Sequence, residues 1–157
     1  MTTAVDTNVL LDLLSPTSPR SEEARRALDE WSGAGPLVIS EAVIAEASVA
    51  FETQADMEEF FRTGGLRLIP SSAETLFVAG SAWKRYLERR PRKLTCAACG
   101  TQNEVNCASC GSAMRSRQHL LPDFLIGAHA QVHASRILSR DRGFYRTYFA
   151  ELDVVTY

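Results

Sequence analysis

The chain contains five short apolar segments separated by longer amphipathic ones, and this alternation most constrains its fold. Each apolar segment is rich in β-branched residues, as the buried strands of parallel sheets usually are. The intervening segments have the capping serines and apolar periodicity of helices. Alternating strands and helices predict an α/β fold, in which both faces of a parallel sheet are covered and a ligand site lies beyond the strands' carboxyl ends. The predicted strands are 3–5, 36–40, 66–69, 136–139 and 152–156, and the predicted helices are 8–14, 20–32, 41–52, 55–63, 72–90, 122–135 and 143–149.

The length of the chain limits its domain organisation. With 157 residues, 45% of them hydrophobic, it can bury one core but not two ordinary ones. We therefore predict a single domain over residues 1–157 with a small insertion. No charged leader precedes the first strand, and no apolar stretch approaches the roughly 18 residues that a membrane span requires. These features predict a soluble, cytoplasmic protein with no membrane partner.

Four acidic residues fall at or near the carboxyl-terminal edge of the predicted sheet. Asp6 closes the first strand, and Glu46 lies about one and a half turns into the helix after the second. Asp123 begins a helix, and Asp141 follows the fourth strand directly. Carboxylates drawn together repel by about 4 kcal/mol per pair at 4 Å under an effective dielectric of about 20, so such a cluster needs a cation. Because the candidate ligands are all oxygen atoms, we predict Mg²⁺ or Mn²⁺.

Each of these acids also has an ordinary structural explanation. Asp6 fits a turn, Glu46 a helix surface, Asp123 a helix cap and Asp141 a charged loop. For each acid taken alone, the structural explanation is favoured over metal binding. Jointly they are less persuasive, because Glu46 interrupts the mainly apolar stretch AVIAEASVAF, where a merely solvated acid is less expected.

The four cysteines form the strongest local motif. They occur as two CxxC pairs, each followed by glycine, with seven residues between Cys99 and Cys107. Two such knuckles can complete a tetrahedron of thiolates, which predicts a structural zinc ribbon inserted at residues 94–117. Disulfides, redox-active pairs and an iron site are the alternatives, and an intracellular location disfavours disulfides. The predicted Zn²⁺ ligands are Cys96, Cys99, Cys107 and Cys110.

Positive charge is concentrated around the cysteines. The chain carries a net charge of −2, but residues 84–118 hold eight basic and only two acidic residues. Arginine and lysine neutralise RNA phosphates, so Arg90, Arg92 and Lys93 are predicted to bind an RNA backbone. A solvated helix end is the alternative explanation. Tyr145, Arg146 and Tyr148 are further candidates for stacking on RNA or pairing with it, although a terminal amphipathic helix explains them equally well.

Four segments together resemble the acidic motifs of PIN-domain ribonucleases, and specifically of VapC-type toxins. They are VDTNVLLDLL, VISEAVIAEASVAF, LPDFLIGAHA and LSRDRGFYRTYF, and the opening D-T-N is the most specific. The resemblance covers nearly the whole chain except about 91–119. It implies a three-layer α/β/α fold with a central parallel sheet, homodimers, and inactivation by a small cognate antitoxin. It also implies a site in which Asp6, Glu46, Asp123 and Asp141 bind Mg²⁺ or Mn²⁺, with Asn8 and Ser139 as supporting neighbours.

These features predict a metal-dependent endoribonuclease that hydrolyses RNA phosphodiester bonds and acts as the toxin of a toxin–antitoxin pair. Many relatives lack a cysteine insertion, and the glycine of DRGF replaces a residue that is often acidic in this family. A housekeeping RNA-processing PIN nuclease is an alternative, although such enzymes usually carry a ribbon after the last acidic motif. The second alternative is a noncatalytic RNA-binding or adaptor protein, in which the ribbon provides the function.

Overall fold

The computed structural model describes residues 1–15, 17–89, 93–95, 99, 101–114 and 119–157. Strands and helices alternate through most of this part of the chain, as the sequence predicts. In order, the elements are β1 (Thr3–Val5), α1 (Thr7–Leu14), α2 (Ser21–Ala34), β2 (Leu37–Ile39), α3 (Glu41–Ala47), a 3₁₀ turn (Ser48–Ala50), α4 (Gln54–Thr63), β3 (Leu66–Leu68), α5 (Ala73–Arg89), β4 (Lys93–Thr95), β5 (Gln102–Glu104), α6 (Leu121–His133), β6 (Arg136–Leu138), α7 (Arg142–Tyr148) and β7 (Asp153–Val155).

A five-stranded parallel sheet forms the centre of the protein, with strand order β3-β2-β1-β6-β7. Strand β1 occupies the middle: Ala4 aligns with Val38 of β2 on one side and with Ile137 of β6 on the other. Because all five strands are parallel, their carboxyl ends lie at one edge. This confirms the predicted α/β fold, in which helices flank a central parallel sheet.

Burial along the sheet follows the position of each strand. All three residues of β1 and of β2 are buried, as expected for strands covered on both faces. Edge strand β3 buries Leu66 but exposes Arg67 and Leu68, and edge strand β7 exposes Asp153. The edge strands are therefore less completely covered than the central ones.

Helices α5 and α6 pack against each other through small and aromatic residues. The rings of Tyr86 and Phe124 lie 5.5 Å apart, and both side chains are almost fully buried. Gly127 lets α6 approach the ring of Phe149 so closely that a Cβ would overlap it. None of the helices in the described residues combines the length and hydrophobicity needed to span a lipid bilayer.

The predicted helix over 41–52 is shorter in the structure. Helix α3 ends at Ala47 and continues as the 3₁₀ turn Ser48–Ala50. The hydroxyl of Ser48 donates to the carbonyl of Ala45, 2.8 Å away, and this bond competes with continuation of the α-helix. Glu46 therefore lies in the last turn of a short helix, close to the sheet edge.

A separate antiparallel hairpin lies within the cysteine-rich segment. Strand β4 pairs with β5, with Lys93 opposite Glu104, and an isolated bridge joins Asn106 to Ala113. The hairpin shares no strand with the central sheet. This arrangement supports a small insertion, while the predicted boundaries 94–117 stay a prediction.

Candidate active site

Asp6 lies where the central strand ends and helix α1 begins. Its backbone N–H donates to the carbonyl of Leu138 on the neighbouring strand β6, 3.1 Å away. Asp6 occupies the N-cap position of α1, yet its side chain caps no backbone N–H there, and it is only 7% exposed. A helix cap therefore does not explain this buried carboxylate.

Two polar side chains, those of Asn8 and Ser139, bind the Asp6 carboxylate. Oδ2 of Asp6 accepts a hydrogen bond from Ser139 Oγ at 2.5 Å and another from Asn8 Nδ2 at 2.6 Å. Asn8 Nδ2 also donates to Ser139 Oγ at 3.0 Å. The two predicted supporting residues are thus brought together around Asp6, although Ser139 is 133 residues away in sequence.

Glu46 reaches the same region from helix α3. The hydroxyl of Thr7, the residue after Asp6, donates to Glu46 Oε2 at 2.5 Å. Its neighbour Ala47 is buried in the core, and the Glu46 side chain is half-buried. Glu46 is therefore held by a polar partner and is not a freely solvated acid on a helix surface.

Asp123 and Asp141 both act as helix caps. Asp123 Oδ2 accepts the backbone N–H of Leu120 at 2.7 Å, before α6, and Asp141 Oδ1 accepts the backbone N–H of Phe144 at 2.9 Å, at the start of α7. Each cap involves one of the two carboxylate oxygens. Asp123 therefore has the capping role that its ordinary explanation predicts, although it stands at the third helical position and Leu120 is the N-cap. Asp141 was explained as a charged loop residue, but it is the N-cap of α7. Neither cap accounts for the cavity that these two acids share with Asp6 and Glu46.

All four predicted acids line one cavity of about 460 Å³ at the carboxyl edge of the sheet. In the described part of the chain, no three acidic, histidine or cysteine side chains converge closely enough to ligate one ion as they stand. The donors that the four acids offer are carboxylate oxygens, the ligand type of hard cations, which also keep water molecules among their ligands. The other lining residues are Thr7, Asn8, Leu11, Val49, Phe144 and Tyr145.

The electrostatics of the cavity disfavour uncompensated negative charge. Burial raises the pKa of Asp6 from 3.8 to about 6, and the charge of Asp123 adds to the effect, against hydrogen bonds from Ser139, Tyr145 and Asn8 that lower it. Burial also raises the pKa of Tyr145 well above its usual value, and the charge of Asp6 contributes. A positive charge near these groups would lower both pKa values.

Comparison with known proteins places this arrangement in a family. The profile of the PIN domain matches residues 3–150, which include all four acids. The chain belongs to the PIN domain family. No curated protein matches the chain significantly.

Solved structures share the fold of this PIN domain. VapBC2 from Rickettsia felis, bound to a DNA fragment from its promoter, aligns with a TM-score of 0.62 and 14% identity over 99% of this chain and 98% of that one. A toxin–antitoxin complex from Klebsiella pneumoniae aligns with a TM-score of 0.58 and 22% identity over 98% of this chain and 96% of that one. VapC20 from Mycobacterium tuberculosis, a sarcin-ricin loop cleaving toxin, aligns with a TM-score of 0.55 and 16% identity over 96% of this chain and 98% of that one. These likenesses confirm the predicted PIN-like architecture.

The second CxxC pair of the PIN domain has the local geometry of a knuckle. The backbone N–H of Gly111 donates to the carbonyl of Cys107 at 2.9 Å, and Gly111 has a φ of +71°, a conformation that favours glycine. Hydrogen bonds from Ser112, followed by one from Cys107, lower the pKa of the Cys110 thiol. Cys107 and Cys110 thus lie close together at a glycine turn, and the four-cysteine zinc site stays a prediction.

Several predicted residues lie outside the described part of the chain. Cys96 is one of them, and so are Arg90 and Arg92 of the predicted RNA-binding set. Lys93 is exposed on β4. Cys99 is also exposed, and its sulfur lies 3.3 Å from the hydroxyl of Thr101.

Two polar residues that line the cavity, Thr7 and Tyr145, were not predicted to belong to the site. Thr7 stands inside the D-T-N motif, so its adjacency to Asp6 was the available signal. Tyr145 follows Asp141 by four residues and therefore shares its helix face. It is only 2% exposed and hydrogen-bonds Asp6, so between the two explanations of Tyr145 its burial supports an amphipathic helix and not stacking on RNA.

Proposed function

We propose that this PIN domain is a metal-dependent endoribonuclease that hydrolyses RNA phosphodiester bonds. The observation that carries the proposal is the single cavity lined by Asp6, Glu46, Asp123 and Asp141. PIN-domain proteins are generally nucleases, which supports the same reaction class. The raised pKa of Asp6 supports a cation as the natural counter-charge.

The four carboxylates would hold Mg²⁺ or Mn²⁺, the ions that oxygen ligands favour. Such an ion supplies Lewis-acid activation of water and stabilises charge at the phosphorus centre. The chain itself positions the ligands: Asn8 and Ser139 fix Asp6, and Thr7 fixes Glu46.

Water is the nucleophile that the cavity supports best. Among the described lining residues, the hydroxyl-bearing side chains are Thr7 and Tyr145, and these hydrogen-bond Glu46 and Asp6 respectively. Both hydroxyls are therefore engaged with carboxylates, and burial keeps Tyr145 protonated by raising its pKa. Hydrolysis without a covalent enzyme intermediate follows from this arrangement.

We further propose that the nuclease is the toxin of a toxin–antitoxin pair in the cytoplasm. Structural neighbours include toxin–antitoxin complexes, which supports a small cognate antitoxin as the partner. A homodimer is part of the same proposal. A housekeeping RNA-processing nuclease would cleave defined precursor RNAs without such a partner, and a noncatalytic adaptor would bind RNA without cutting it.

The cysteine-rich insertion is proposed to be a structural zinc ribbon at residues 94–117. Cys96, Cys99, Cys107 and Cys110 would supply four thiolates, which leaves no open coordination position for catalysis. The close pair Cys107 and Cys110, with the left-handed glycine after it, supports this proposal.

A basic surface beside the ribbon is proposed to bind the RNA backbone through Arg90, Arg92 and Lys93. The exposure of Lys93 is consistent with this role. Charge reversal of all three residues should weaken RNA binding and flatten its salt dependence, because fewer counterions are released on binding. Unchanged binding at every salt concentration would contradict this assignment.

Two glutamates on α3 offer a matched test of the proposed activity. Glu46 lines the cavity, whereas Glu41 binds the backbone N–H and hydroxyl of Ser71 at 2.8 and 2.9 Å. We expect purified wild type and Glu41→Gln to cleave cellular RNA with Mg²⁺ or Mn²⁺, and Glu46→Gln to lose cleavage. Cleavage by the wild type should also stop with EDTA. Equal activity of the two variants, or cleavage that survives EDTA, would refute the metal-dependent mechanism.

A further inference from the structure

Asp12, a residue outside the cavity, makes a dense set of polar contacts. Its side chain in α1 is 12% exposed, and Oδ2 lies 2.9 Å from Nε of Arg140. The hydroxyl of Tyr157 donates to the same oxygen at 2.7 Å, and the hydroxyl of Ser18 donates to Oδ1 at 3.0 Å. A nearly buried carboxylate with this many partners holds those partners in fixed positions.

Helix α1 holds Arg140 through two residues. Asn8 and Asp12 are four residues apart and share one helix face. Asn8 Oδ1 accepts the backbone N–H of Arg140 at 3.2 Å, while Asp12 binds its guanidinium group. Both ends of Arg140 are therefore attached to the helix that follows Asp6.

Arg140 lies between two residues of the candidate active site, Ser139 and Asp141. The backbone N–H of Asp141 donates to Ser139 Oγ at 3.0 Å, and that oxygen in turn donates to Asp6. The position of residues 139–141 relative to α1 thus depends on a connected set of hydrogen bonds. Asp12 and Arg140 are the two charged members of that set that do not line the cavity.

We propose that Asp12 is a positioning residue, whose ion pair with Arg140 fixes residues 139–141 so that Asp141 faces the cation site. The inference rests on the proposed function, because it assigns a role toward the ion held by Asp141. Without the ion pair, the Arg140 side chain would lose its attachment to α1, although its backbone N–H would still donate to Asn8. The Asp141 carboxylate would then sample positions farther from Asp6. Loss of such outer contacts typically weakens metal binding by about 10-fold or more.

The charges of the pair allow positioning to be separated from simple electrostatics. Asp12→Asn removes a negative charge near the cavity, and Arg140→Gln removes a positive one. If the pair acted only through its field, the first variant would bind Mn²⁺ more weakly and the second more tightly. If the pair positions Asp141, both variants bind Mn²⁺ more weakly, and Arg140→Lys, which can keep the ion pair, retains most of the affinity.

The experiment measures Mn²⁺ binding by titration calorimetry on the full chain without RNA, and thermal unfolding without metal. We expect Asp12→Asn and Arg140→Gln each to raise the dissociation constant on the order of 10-fold. Glu22→Gln, which breaks the exposed Arg25–Glu22 ion pair on α2, should leave Mn²⁺ binding unchanged.

Three results would overturn the inference. Affinity changes of opposite sign would indicate a field effect, and unchanged Mn²⁺ binding with a lower unfolding temperature would indicate a role in folding alone. Arg140→Gln is informative even if Asp12→Asn fails to fold, because the Arg140 side chain is 36% exposed. Absence of Mn²⁺ binding by the wild type would refute the proposed function itself, and the inference with it.

Discussion

Thr7 hydrogen-bonds Glu46 across 39 residues of sequence, with its hydroxyl oxygen 2.5 Å from Oε2 of the carboxylate. This contact joins helix α1 to helix α3 at the cavity. Thr7 is 5% exposed, so the bond is shielded from competing water. The middle residue of the D-T-N motif therefore orients an acid that the motif itself does not contain.

Replacement of Thr7 by valine should loosen Glu46 while preserving the shape of the side chain. We expect Thr7→Val to weaken Mn²⁺ binding and RNA cleavage about 10-fold each, because a freed carboxylate is no longer held toward the cavity. The free energy of unfolding should fall by only about 1 kcal/mol. Thr7→Ser retains the hydroxyl and should behave like the wild type in calorimetry and cleavage assays. A valine variant with wild-type affinity would mean that the bond is incidental.

The raised pKa of Asp6 predicts a stability that depends on pH in the absence of metal. The unfolded chain has a pKa near 3.8 at this residue and the folded protein about 6, so the folded state is destabilised as pH rises through that window. Asp6→Asn mimics the protonated form. It should exceed the wild type in free energy of unfolding by up to about 3 kcal/mol at pH 8.

This advantage of Asp6→Asn should shrink below pH 6 and vanish near pH 4. Urea unfolding in EDTA at several pH values measures it, and added Mn²⁺ should stabilise the wild type but not the variant. The two proteins could instead differ in free energy of unfolding by the same amount from pH 4 to pH 8. That result would show that folding does not raise the pKa of Asp6.

The cysteine-rich segment should carry zinc when the protein is purified without chelators. Elemental analysis is expected to find about one Zn²⁺ per chain in the wild type, as a four-thiolate site requires. Cys107→Ser should lose most of that zinc, whereas Ser109→Ala, a change between the two cysteines of the same turn, should keep it. Iron in place of zinc would show that the predicted metal is wrong. The absence of any bound metal would show that the cysteine-rich segment is not a metal-binding ribbon.

Two glycines in helices should respond to alanine in opposite directions. A Cβ at Gly127 would overlap the ring of Phe149, so Gly127→Ala should destabilise the protein by about 1–3 kcal/mol. Gly80 in α5 has open space around the position of a Cβ, so Gly80→Ala should stabilise it by up to about 1 kcal/mol through helix propensity. Chemical denaturation of both variants measures the difference, and similar effects at the two sites would contradict the packing shown for α6.

The sequence predicted the sheet and placed the four acids near its carboxyl edge, because both follow from local patterns. Short β-branched segments identify parallel strands, and residues at strand ends share an edge whatever the strand order. The partners of those acids were harder to predict. The bond from Thr7 to Glu46 depends on how α1 and α3 pack, and no periodicity encodes that relation.

Burial on α7 was likewise not predictable from the sequence. Tyr145 follows Asp141 by one helical turn, and aromatic side chains suit both a core and an RNA surface. Only the packing of α7 against the cavity decides between these environments, and it buries Tyr145 beside Asp6. The ion pair between Asp12 and Arg140 is a similar case, since its two residues are joined only when β6 lies beside β1.

The central place of β1 in the sheet affects when a new chain can become active. Its neighbour β6 is synthesised more than a hundred residues later, and Asp123 and Asp141 come equally late. A growing chain on the ribosome therefore exposes Asp6 and Glu46 long before the other half of the site exists. In a nuclease of the kind proposed, this order of synthesis delays RNA cleavage until translation of the domain is almost finished, which protects the message and the ribosome that are making it.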